Sequence, residues 1–491
     1  MKLKVKILKL QAGRPVSILH ERTADKLSVN IDDRIKISKG NKKMISVVDI
    51  AAGLLQKDEI AVSEEVVKAL KLKEDDAVEI NIAPHPESIY LIHKKLMCTP
   101  LNQFEFEKII SDIVKNALTE PEIAYFVSAI YKCGMSVKEI EYLIRAIVGS
   151  GNIIKLRGKV ADKHCIGGIA GNRTTPIVIS ICAAAGLKMP KTSSRAITSA
   201  AGTADAIECL ASVDFSIKEI KKIIKKNNAC MVWGGSLGLA PADDKIIQIE
   251  KLMNLDPEPQ LLASILSKKL SVDSKYVLID IPYGKSAKVS KSQAIKLKDK
   301  FEKLGQSFKI YLKCILTDGS QPIGNGVGPA LEMKDVLAVL RQDLSRPLDL
   351  EKKSLLLAGT LFEMTGEAEE GRGIELAEKI LESGKAFKKF KKIIKSQKGS
   401  VSDSRLILGK FSKDIFSGKS GEIIELDNKK INLIARILGS PADKGAGLYI
   451  HKHCQEKIQK NNKLMTFYSE SDEKLEEAVK FYKKLHPITI K

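Results

Sequence analysis

Long apolar runs are absent from this 491-residue sequence, although 44% of its residues are hydrophobic. A membrane-spanning helix needs roughly 20 consecutive apolar residues, and the most apolar stretch, Pro176–Leu187, is too short. The first residues, Met1–Leu10, lack a continuous apolar core as well, because lysine alternates there with apolar side chains. That period-two pattern predicts a strand and excludes a secretory signal peptide. We therefore expect a cytoplasmic protein that does not enter the membrane.

Paired cysteine motifs are also missing. The 8 cysteines are scattered without a CxxC pair, and most of them have apolar neighbours. This spacing predicts free, buried thiols. The segment His451-Lys-His453-Cys454 groups three potential metal ligands, but no second cluster completes a zinc site at standard spacing. We expect this segment to be a surface turn, and we predict no metal site.

Acidic residues are fewer than basic ones, with 60 Asp and Glu against 81 Lys and Arg and a formal net charge of +21. Such an excess can serve nucleic-acid binding, because lysines neutralise backbone phosphates. The densest basic stretch, Lys388–Lys395, has the spacing of a helix with one polar face, and no recognition motif accompanies it. A solvated, lysine-rich surface is the favoured interpretation. A basic nucleic-acid-binding protein is the non-enzyme alternative.

The length predicts several domains, and a charged fraction of 29% with normal apolar content excludes a disordered chain. Residues 1–85 combine period-two runs such as Ala77–Ile82 with turn residues and one helix near Glu64–Leu70. They are predicted to form a small β-rich, barrel-like domain. Residues 86–155 change to helical spacing, which predicts a helical domain.

Residues 156–405 alternate predicted strands, such as Val277–Ile281, with helices. This alternation predicts an α/β domain whose sheet is parallel or mixed. Residues 406–491 are predicted to form an α+β domain, in which the glycine-bearing turn Ser417–Gly421 indicates a β-hairpin. The predicted fold class is therefore multidomain α/β.

The first chemical signal is a glycine-rich loop, Asp162-Lys-His-Cys-Ile-Gly-Gly-Ile-Ala-Gly-Asn-Arg-Thr-Thr-Pro176, followed by an apolar run to Gly186. Thr174 or Thr175 is placed to cap a helix that has Pro176 in its first turn. Glycines let backbone N–H groups approach an anion, and a helix N-terminus carries partial positive charge. Phosphate is the expected ligand, although the loop matches neither the Walker motif nor the dinucleotide fingerprint.

A second polar loop follows, Lys191-Thr-Ser-Ser-Arg-Ala-Ile-Thr-Ser-Ala-Ala-Gly-Thr-Ala-Asp205. Five hydroxyl groups, Arg195 and a helix-capping Thr203 in so short a span can bind oxyanions and sugar hydroxyls. Either loop alone could be purely structural. Two such loops after consecutive predicted strands indicate a phosphate-handling site.

Both loops, together with three further segments, resemble the thymidine/AMP phosphorylase family, and most closely its archaeal AMP phosphorylase branch. The matching segments, in chain order, are Lys163–Gly168, Ser193–Asp205, Val232–Asp244, Leu255–Lys269 and Asp318–Pro329. The resemblance covers most of the chain at near-identical spacing. It implies a helical domain and a larger α/β domain flanking a cleft, with residues 242–272 returning to the helical domain, a C-terminal α+β domain and an additional N-terminal domain.

The resemblance implies the reaction AMP + phosphate → adenine + ribose 1,5-bisphosphate, and it leaves CMP and UMP open as further substrates. No metal or organic cofactor is implied, since inorganic phosphate is the co-substrate. A homodimer or a larger homo-oligomer is expected. The expected ligands are thus a nucleoside 5′-monophosphate and phosphate, with no membrane and no nucleic acid.

Site residues carried over from the family fall into three roles. Asp256 is implied as the catalytic proton donor, and its neighbours Leu255, Pro257 and Pro259 would permit a low-polarity site that raises its pKa. Lys163 and Thr203 are implied to contact phosphate. The implied substrate-binding residues are Gly168, Ser194, Arg195, Ala196, Ile197, Thr198, Ser199, Thr203, Ser264 and Lys288.

One residue departs from the family pattern, and one region separates this chain from its nearest rival. Cys165 stands where relatives usually have a phosphate-contacting serine, and a thiol is a poorer hydrogen-bond donor. The rival is a pyrimidine nucleoside (thymidine) phosphorylase, which uses an arginine where this chain has Gln248-Ile-Glu-Lys251. The missing arginine favours the nucleotide branch. A phosphoribosyltransferase is more distant, because the acidic residues that bind metal and pyrophosphate are not found.

Overall fold

The computed structural model describes residues 1–196 and 199–491. The chain forms two compact units, which we describe separately. Unit 1 comprises Met1–Gly151 and Ala240–Ser264, and unit 2 comprises Asn152–Leu239 and Ile265–Lys491. Within the described ranges, no helix has both the length and the apolar character needed to cross a membrane.

The N-terminal strands of unit 1 close into a barrel in the order β1-β5-β2-β4-β3-β6. Their bounds are β1 Lys2–Ile7, β2 Val16–His20, β3 Arg34–Lys39, β4 Lys42–Ala51, β5 Glu59–Val62 and β6 Ala77–Ile82. The lysine alternation explains β1, because Leu3 and Val5 are buried whereas Lys2 and Lys4 are exposed. Two short helices, α1 (Glu21–Leu27) and α2 (Glu64–Leu70), complete this part, and α2 confirms the helix predicted there.

The rest of unit 1 is helical. Its helices are α3 Ser88–Leu96, α4 Gln103–Val114, α5 Glu120–Cys133, α6 Val137–Gly149, α10 Pro241–Met253 and the start of α11 Glu258–Ser271. Capping boxes at Asn102 and Ser136 begin α4 and α6. At the other end of α4, Lys245 donates to the carbonyls of Ile113 and Val114 at 2.8 and 3.2 Å. Burial lowers the pKa of Lys245 to about 8.

Two cysteines of this helical part are bonded to each other. Cys98, which follows α3, and Cys133, the last residue of α5, form a disulfide with a Cα–Cα distance of 5.2 Å. The prediction of free thiols is therefore wrong for this pair. The two residues are 35 positions apart, and only the packing of α3 on α5 brings them together. The free thiols are Cys165, Cys182, Cys209, Cys230, Cys314 and Cys454.

Unit 2 contains parallel strands covered by helices. Strands β7 Ala161–Cys165, β10 Tyr276–Tyr283 and β11 Tyr311–Asp318 pair in the order β11-β10-β7, and β8 Met189–Ser193 pairs with β9 Ala229–Trp233. A parallel bridge between Val160 and Lys188 joins the two groups. The parallel arrangement predicted for this region is confirmed.

Helix α7 (Thr174–Ala184) is buried along most of its length and lies in the core of unit 2. The surrounding helices are α8 Thr203–Glu208, α9 Ile217–Asn227, α12 Lys291–Ser307, α13 Pro329–Arg341, α14 Leu348–Thr365, α15 Gly373–Glu382 and α16 Lys385–Ser396. The helix predicted over Lys388–Lys395 is confirmed as part of α16, which buries Phe390, Ile393 and Ile394 and exposes lysines.

The last part of unit 2 is built from two antiparallel sheets and two helices. Its elements are β12 Gly326–Val327, β13 Phe411–Phe416, β14 Gly421–Leu426, α17 Asn428–Ile437, β15 Gly447–Ile450, β16 Lys457–Ile458, β17 Lys463–Ser469, α18 Asp472–Leu485 and β18 Ile488–Ile490. The sheet orders are β12-β15-β17-β13 and β16-β14-β18. The hairpin predicted at Ser417–Gly421 is wrong, because this turn carries the chain from one sheet to the other.

Helix α4 offers a matched pair of phenylalanines for testing the core of unit 1. Phe106 is 0% exposed and Phe104 is 71% exposed. We expect Phe106→Ala to lower the free energy of unfolding by about 3–5 kcal/mol, because it removes a large buried side chain and leaves a cavity. Phe104→Ala should change it by less than about 0.5 kcal/mol. Urea unfolding monitored by circular dichroism measures both, and equal shifts of the two midpoints would contradict the assigned packing.

Candidate active site

The glycine-rich loop follows β7 and leads into α7, as the sequence predicts. Gly168 has a φ of +91°, and a Cβ atom built there would lie 2.7 Å from the backbone nitrogen of Lys288. Only glycine can adopt this conformation and allow so close an approach. The fold therefore brings Gly168 and Lys288, two predicted substrate-binding residues, into direct contact.

Lys163 lies in β7 with its side chain fully buried. Its Nζ donates to Thr174 Oγ1 at 2.6 Å and to Thr175 Oγ1 at 3.5 Å. Burial lowers the pKa of Lys163, because the charged ammonium is removed from water. An oxyanion beside it would favour the charged form.

The capping role predicted for Thr174 or Thr175 is wrong. Arg173 occupies the N-cap position of α7 and makes no side-chain capping bond, and Thr174 is already the first helical residue. Both threonine hydroxyls accept from Lys163 instead. A cation distant in sequence has replaced the local capping interaction.

The second loop follows β8 and is organised around the buried carboxylate of Asp205. Its Oδ2 accepts from the backbone nitrogens of Ala196 and Gly202 at 2.7 and 2.9 Å. Ser199 donates to the carbonyl of Ala201 at 3.0 Å, and Ser194 is exposed. Of the predicted substrate-binding residues of this loop, Ile197 and Thr198 lie outside the described residues.

Arg195, predicted to bind substrate, pairs with two carboxylates of α8. It donates to both oxygens of Glu208 at 2.6 and 2.7 Å and to Asp205 at 3.3 Å. The hydrogen bond from Arg195 holds the pKa of Glu208 down to about 2. The guanidinium also lies 5.1 Å from the centre of the Trp233 ring. In this structure Arg195 therefore stabilises the loop.

Thr203 begins α8, but it does not cap that helix as predicted, because Gly202 is the N-cap residue. The Thr203 hydroxyl accepts from Arg173 Nη1 at 2.8 Å. The same guanidinium donates to the carbonyl of Ala201 at 2.8 Å and to Glu332 in α13 at 2.7 Å. Burial raises the pKa of Glu332 to about 7, while Arg173 acts in the opposite direction.

Sequence reasoning missed Arg173 and Glu332. Arg173 lies near the end of the glycine-rich loop, and Glu332 lies just after the Asp318–Pro329 motif. An arginine at the end of a glycine-rich loop is the signal that could have indicated a functional role for Arg173.

A buried ion cluster lies at the centre of the sheet, between the strands that precede the two loops. Asp162 Oδ2 pairs with Lys269 of α11 at 2.7 Å, and Asp162 Oδ1 with Lys191 of β8 at 3.4 Å. Lys191 also donates to the carbonyl of Lys163 at 2.8 Å. Burial, with Lys191 nearby, lowers the pKa of Lys269 to about 7 although Asp162 opposes the shift.

A second buried pair lies near the carboxyl ends of β10 and β11. Asp280 Oδ1 accepts from Thr317 at 2.6 Å, and Asp280 Oδ2 lies 3.0 Å from Lys353 Nζ. Burial alone would raise the pKa of Asp280, but Lys353 and Lys163 hold it below its usual range. A cavity of about 410 Å³ lies beside Thr317 and Lys353.

The two remaining predicted residues, Asp256 and Ser264, lie in unit 1. Ser264 in α11 donates to Asp243 Oδ2 at 2.8 Å, and Gln260 donates to Asp243 Oδ1 at 3.0 Å. Asp256 lies in the short segment between α10 and α11, and its side chain is exposed. The low-polarity environment expected from its neighbours is therefore not present in this structure.

The segment His451-Lys-His453-Cys454 is held by protein partners. His451 Nε2 hydrogen-bonds with Thr466 Oγ1 at 2.8 Å, and His453 Nε2 with Asn325 Oδ1 at 2.9 Å. Across the described ranges, no group of three or more His, Cys, Asp or Glu side chains is arranged to hold a metal ion.

Three family models match successive parts of the chain. Residues 89–151 match the helical bundle domain of the glycosyl transferase family, and residues 157–387 match its a/b domain. Residues 423–489 match the pyrimidine nucleoside phosphorylase C-terminal domain. In fold, the chain is similar to anthranilate phosphoribosyltransferase from Thermus thermophilus, with a TM-score of 0.52 and 16% identity over 63% of this chain and 99% of that one.

Curated relatives match almost from end to end. AMP phosphorylase of Methanocaldococcus jannaschii is 42% identical, covering 93% of this chain and 92% of its own. The AMP phosphorylases of Thermococcus kodakarensis and Pyrococcus horikoshii are 40% and 42% identical, each covering 100% of this chain and 98% of its own. With identity at this level along the whole length, the chain belongs to the AMP phosphorylase family.

Proposed function

We propose that this protein cleaves AMP with inorganic phosphate to give adenine and ribose 1,5-bisphosphate. The observation that carries this assignment is the end-to-end identity of about 40% with AMP phosphorylases. Two polar loops following neighbouring strands of unit 2 support it, because the reaction must bind two phosphate groups.

In the proposed reaction, a phosphate oxygen attacks C1′ of the ribose as the bond from C1′ to N9 of adenine breaks. Positive charge develops on the sugar in the transition state, and the phosphate dianion stabilises it. The electron pair of the broken bond goes to adenine, which takes up a proton. Because phosphate attacks directly, no enzyme nucleophile is needed. Burial raises the pKa of the Cys165 thiol and so disfavours the reactive thiolate.

The phosphate subsite is proposed to consist of Lys163, Thr203 and the backbone N–H groups of the glycine-rich loop. The buried ammonium of Lys163 and the partly exposed hydroxyl of Thr203 support this role. Lys288, which lies against Gly168, is proposed to contact the 5′-phosphate of AMP. The loop residues Ser194–Ser199 and Ser264 are proposed to bind the nucleotide, with Asp256 as the proton donor to the base.

No metal or organic cofactor is required in this proposal, since lysine side chains and helix N-termini provide positive charge for both phosphates. We also propose a homodimer or a larger homo-oligomer.

A pyrimidine nucleoside phosphorylase is the second candidate function, because residues 423–489 match the C-terminal domain of such enzymes. CMP and UMP are the further substrates to be tested.

Adenine release from AMP is the decisive measurement. We expect release to depend on inorganic phosphate and to continue after exhaustive chelation of metals, with ribose 1,5-bisphosphate formed in equal amount. Release at the same rate without phosphate would indicate a hydrolase and would overturn the proposed function. Activity that is lost on chelation and restored by one metal would overturn the cofactor-free mechanism.

Asp256→Asn should retain AMP binding but lower kcat by about 10² to 10⁴-fold, because the amide keeps the shape and cannot transfer a proton in the same way. The matched control is Asp58→Asn, which alters another exposed aspartate of unit 1 and should leave kcat unchanged. Steady-state kinetics with AMP measures both. A kcat for Asp256→Asn within about threefold of the parent enzyme would assign Asp256 a structural role.

The 5′-phosphate separates the two candidate enzymes. Hydrogen bonds to charged groups contribute roughly 1.5–3 kcal/mol each, so loss of the ester phosphate should lower kcat/KM for adenosine at least about 10²-fold relative to AMP. Lys288→Ala should impair AMP cleavage far more than adenosine cleavage. The control is Lys291→Ala, which alters a nearby exposed lysine and should not impair AMP cleavage selectively. Cleavage of adenosine, uridine or thymidine as fast as the 5′-monophosphate would favour the nucleoside phosphorylase instead.

A further inference from the structure

Arg173 connects the two polar loops directly. It ends the glycine-rich loop that follows β7, yet its Nη1 and Nη2 donate to Thr203 and to the carbonyl of Ala201 in the loop that follows β8, each at 2.8 Å. Only 11% of its side chain is exposed. One guanidinium thus joins the two loops.

Glu332 of α13 anchors this arginine. One carboxylate oxygen accepts from Nε of Arg173 at 2.7 Å and lies 2.6 Å from its Nη2, and the other accepts from the backbone nitrogen of Gly328 at 3.2 Å. Only 2% of the Glu332 side chain is exposed. The planar guanidinium reaches three acceptors at once, two in the second loop and one in α13, which a lysine ammonium on a flexible stem does not reproduce.

The contact with Thr203 also sets the direction of a hydroxyl group. A threonine hydroxyl has one hydrogen to donate and two lone pairs, whereas arginine has donors only. Because Arg173 donates, Thr203 must accept there and its own hydrogen points elsewhere. In the described part of the chain that hydrogen is donated to no protein acceptor, and the residue is partly exposed. The hydroxyl is thereby prepared to donate to an incoming oxyanion.

We propose that Arg173 is a positioning residue for the phosphate co-substrate: it orients the Thr203 hydroxyl hydrogen toward the phosphate and holds the two loops at the distance that phosphate binding requires. This proposal rests on the proposed function, since it assumes that Thr203 contacts the attacking phosphate. It assigns Arg173 no contact with the reacting atoms.

The test is a double-mutant cycle in which KM for phosphate and KM for AMP are measured for each variant. Arg173→Lys should raise KM for phosphate about tenfold, the effect of one hydrogen bond to a charged oxygen, while KM for AMP changes less than about twofold. In a Thr203→Val background, Arg173→Lys should have little further effect, because the hydroxyl that it orients is gone. In a Thr203→Ser background, which keeps the hydroxyl, the effect should return.

Arg346→Lys is the matched control, because Arg346 is a half-buried arginine of unit 2 that pairs with Glu351 away from both loops. It should leave both KM values unchanged. If Arg173→Lys raises KM for phosphate by the same factor with and without the Thr203 hydroxyl, the proposal is wrong. An equal rise of both KM values would likewise overturn it, because a general distortion of the fold would then explain the effect.

A second variant keeps the test usable if Arg173→Lys does not fold. Replacing both charges, Arg173→Gln with Glu332→Gln, avoids leaving an unpaired buried carboxylate, and the same selective rise in KM for phosphate is expected.

A measurement without turnover separates this proposal from the proposed function: inorganic phosphate should raise the thermal midpoint of the parent enzyme more than that of the variant. Equal stabilisation of the two would refute the role of Arg173, whereas absence of phosphorolysis by the parent would refute the proposed function.

Discussion

A single buried carboxylate, that of Asp162, holds together the elements on which the site of unit 2 depends. It pairs with Lys191 of β8 and Lys269 of α11, and it lies in β7. Both polar loops begin where β7 and β8 end, so their separation depends on this pairing. Removing the carboxylate would leave two buried ammonium groups without a counter-charge, a change that typically costs about 3–5 kcal/mol. The geometry of the loops is thus tied to the stability of the sheet.

Positive charge exceeds negative charge in this buried region. Asp162 and Asp280 pair with Lys191, Lys269 and Lys353, whereas the ammonium of Lys163 contacts two threonine hydroxyls. Burial lowers the pKa of Lys163, which means that its charge is unfavourable as the unit stands. A phosphate dianion would supply the missing counter-charge. A buried cation of this kind therefore favours an oxyanion as the ligand beside it.

Features set by local pattern could be predicted from the sequence, and features set by distant partners could not. The period-two run of β1 and the helix α2 follow from residues that are neighbours in the chain. The predicted caps failed because the hydroxyls of Thr174 and Thr203 accept from cations 11 and 30 positions away. The disulfide was missed for the same reason. Family resemblance located the candidate loops, but it indicated neither Arg173 nor the exposure of Asp256.

The Lys163–Thr174 and Arg173–Thr203 contacts repeat one arrangement. In each, a cation donates to a threonine hydroxyl, so the hydroxyl hydrogen is directed away from the cation. A serine or threonine in contact with water can rotate its hydroxyl freely and must be reoriented when an anion arrives. Donors that already face the place where charge will lie cost no reorganisation during the reaction. Arg173, which is assigned no contact with the reacting atoms, can therefore raise the effectiveness of the Thr203 hydroxyl group in front of it, whereas Lys163 both orients a threonine hydroxyl and is itself proposed to contact the phosphate.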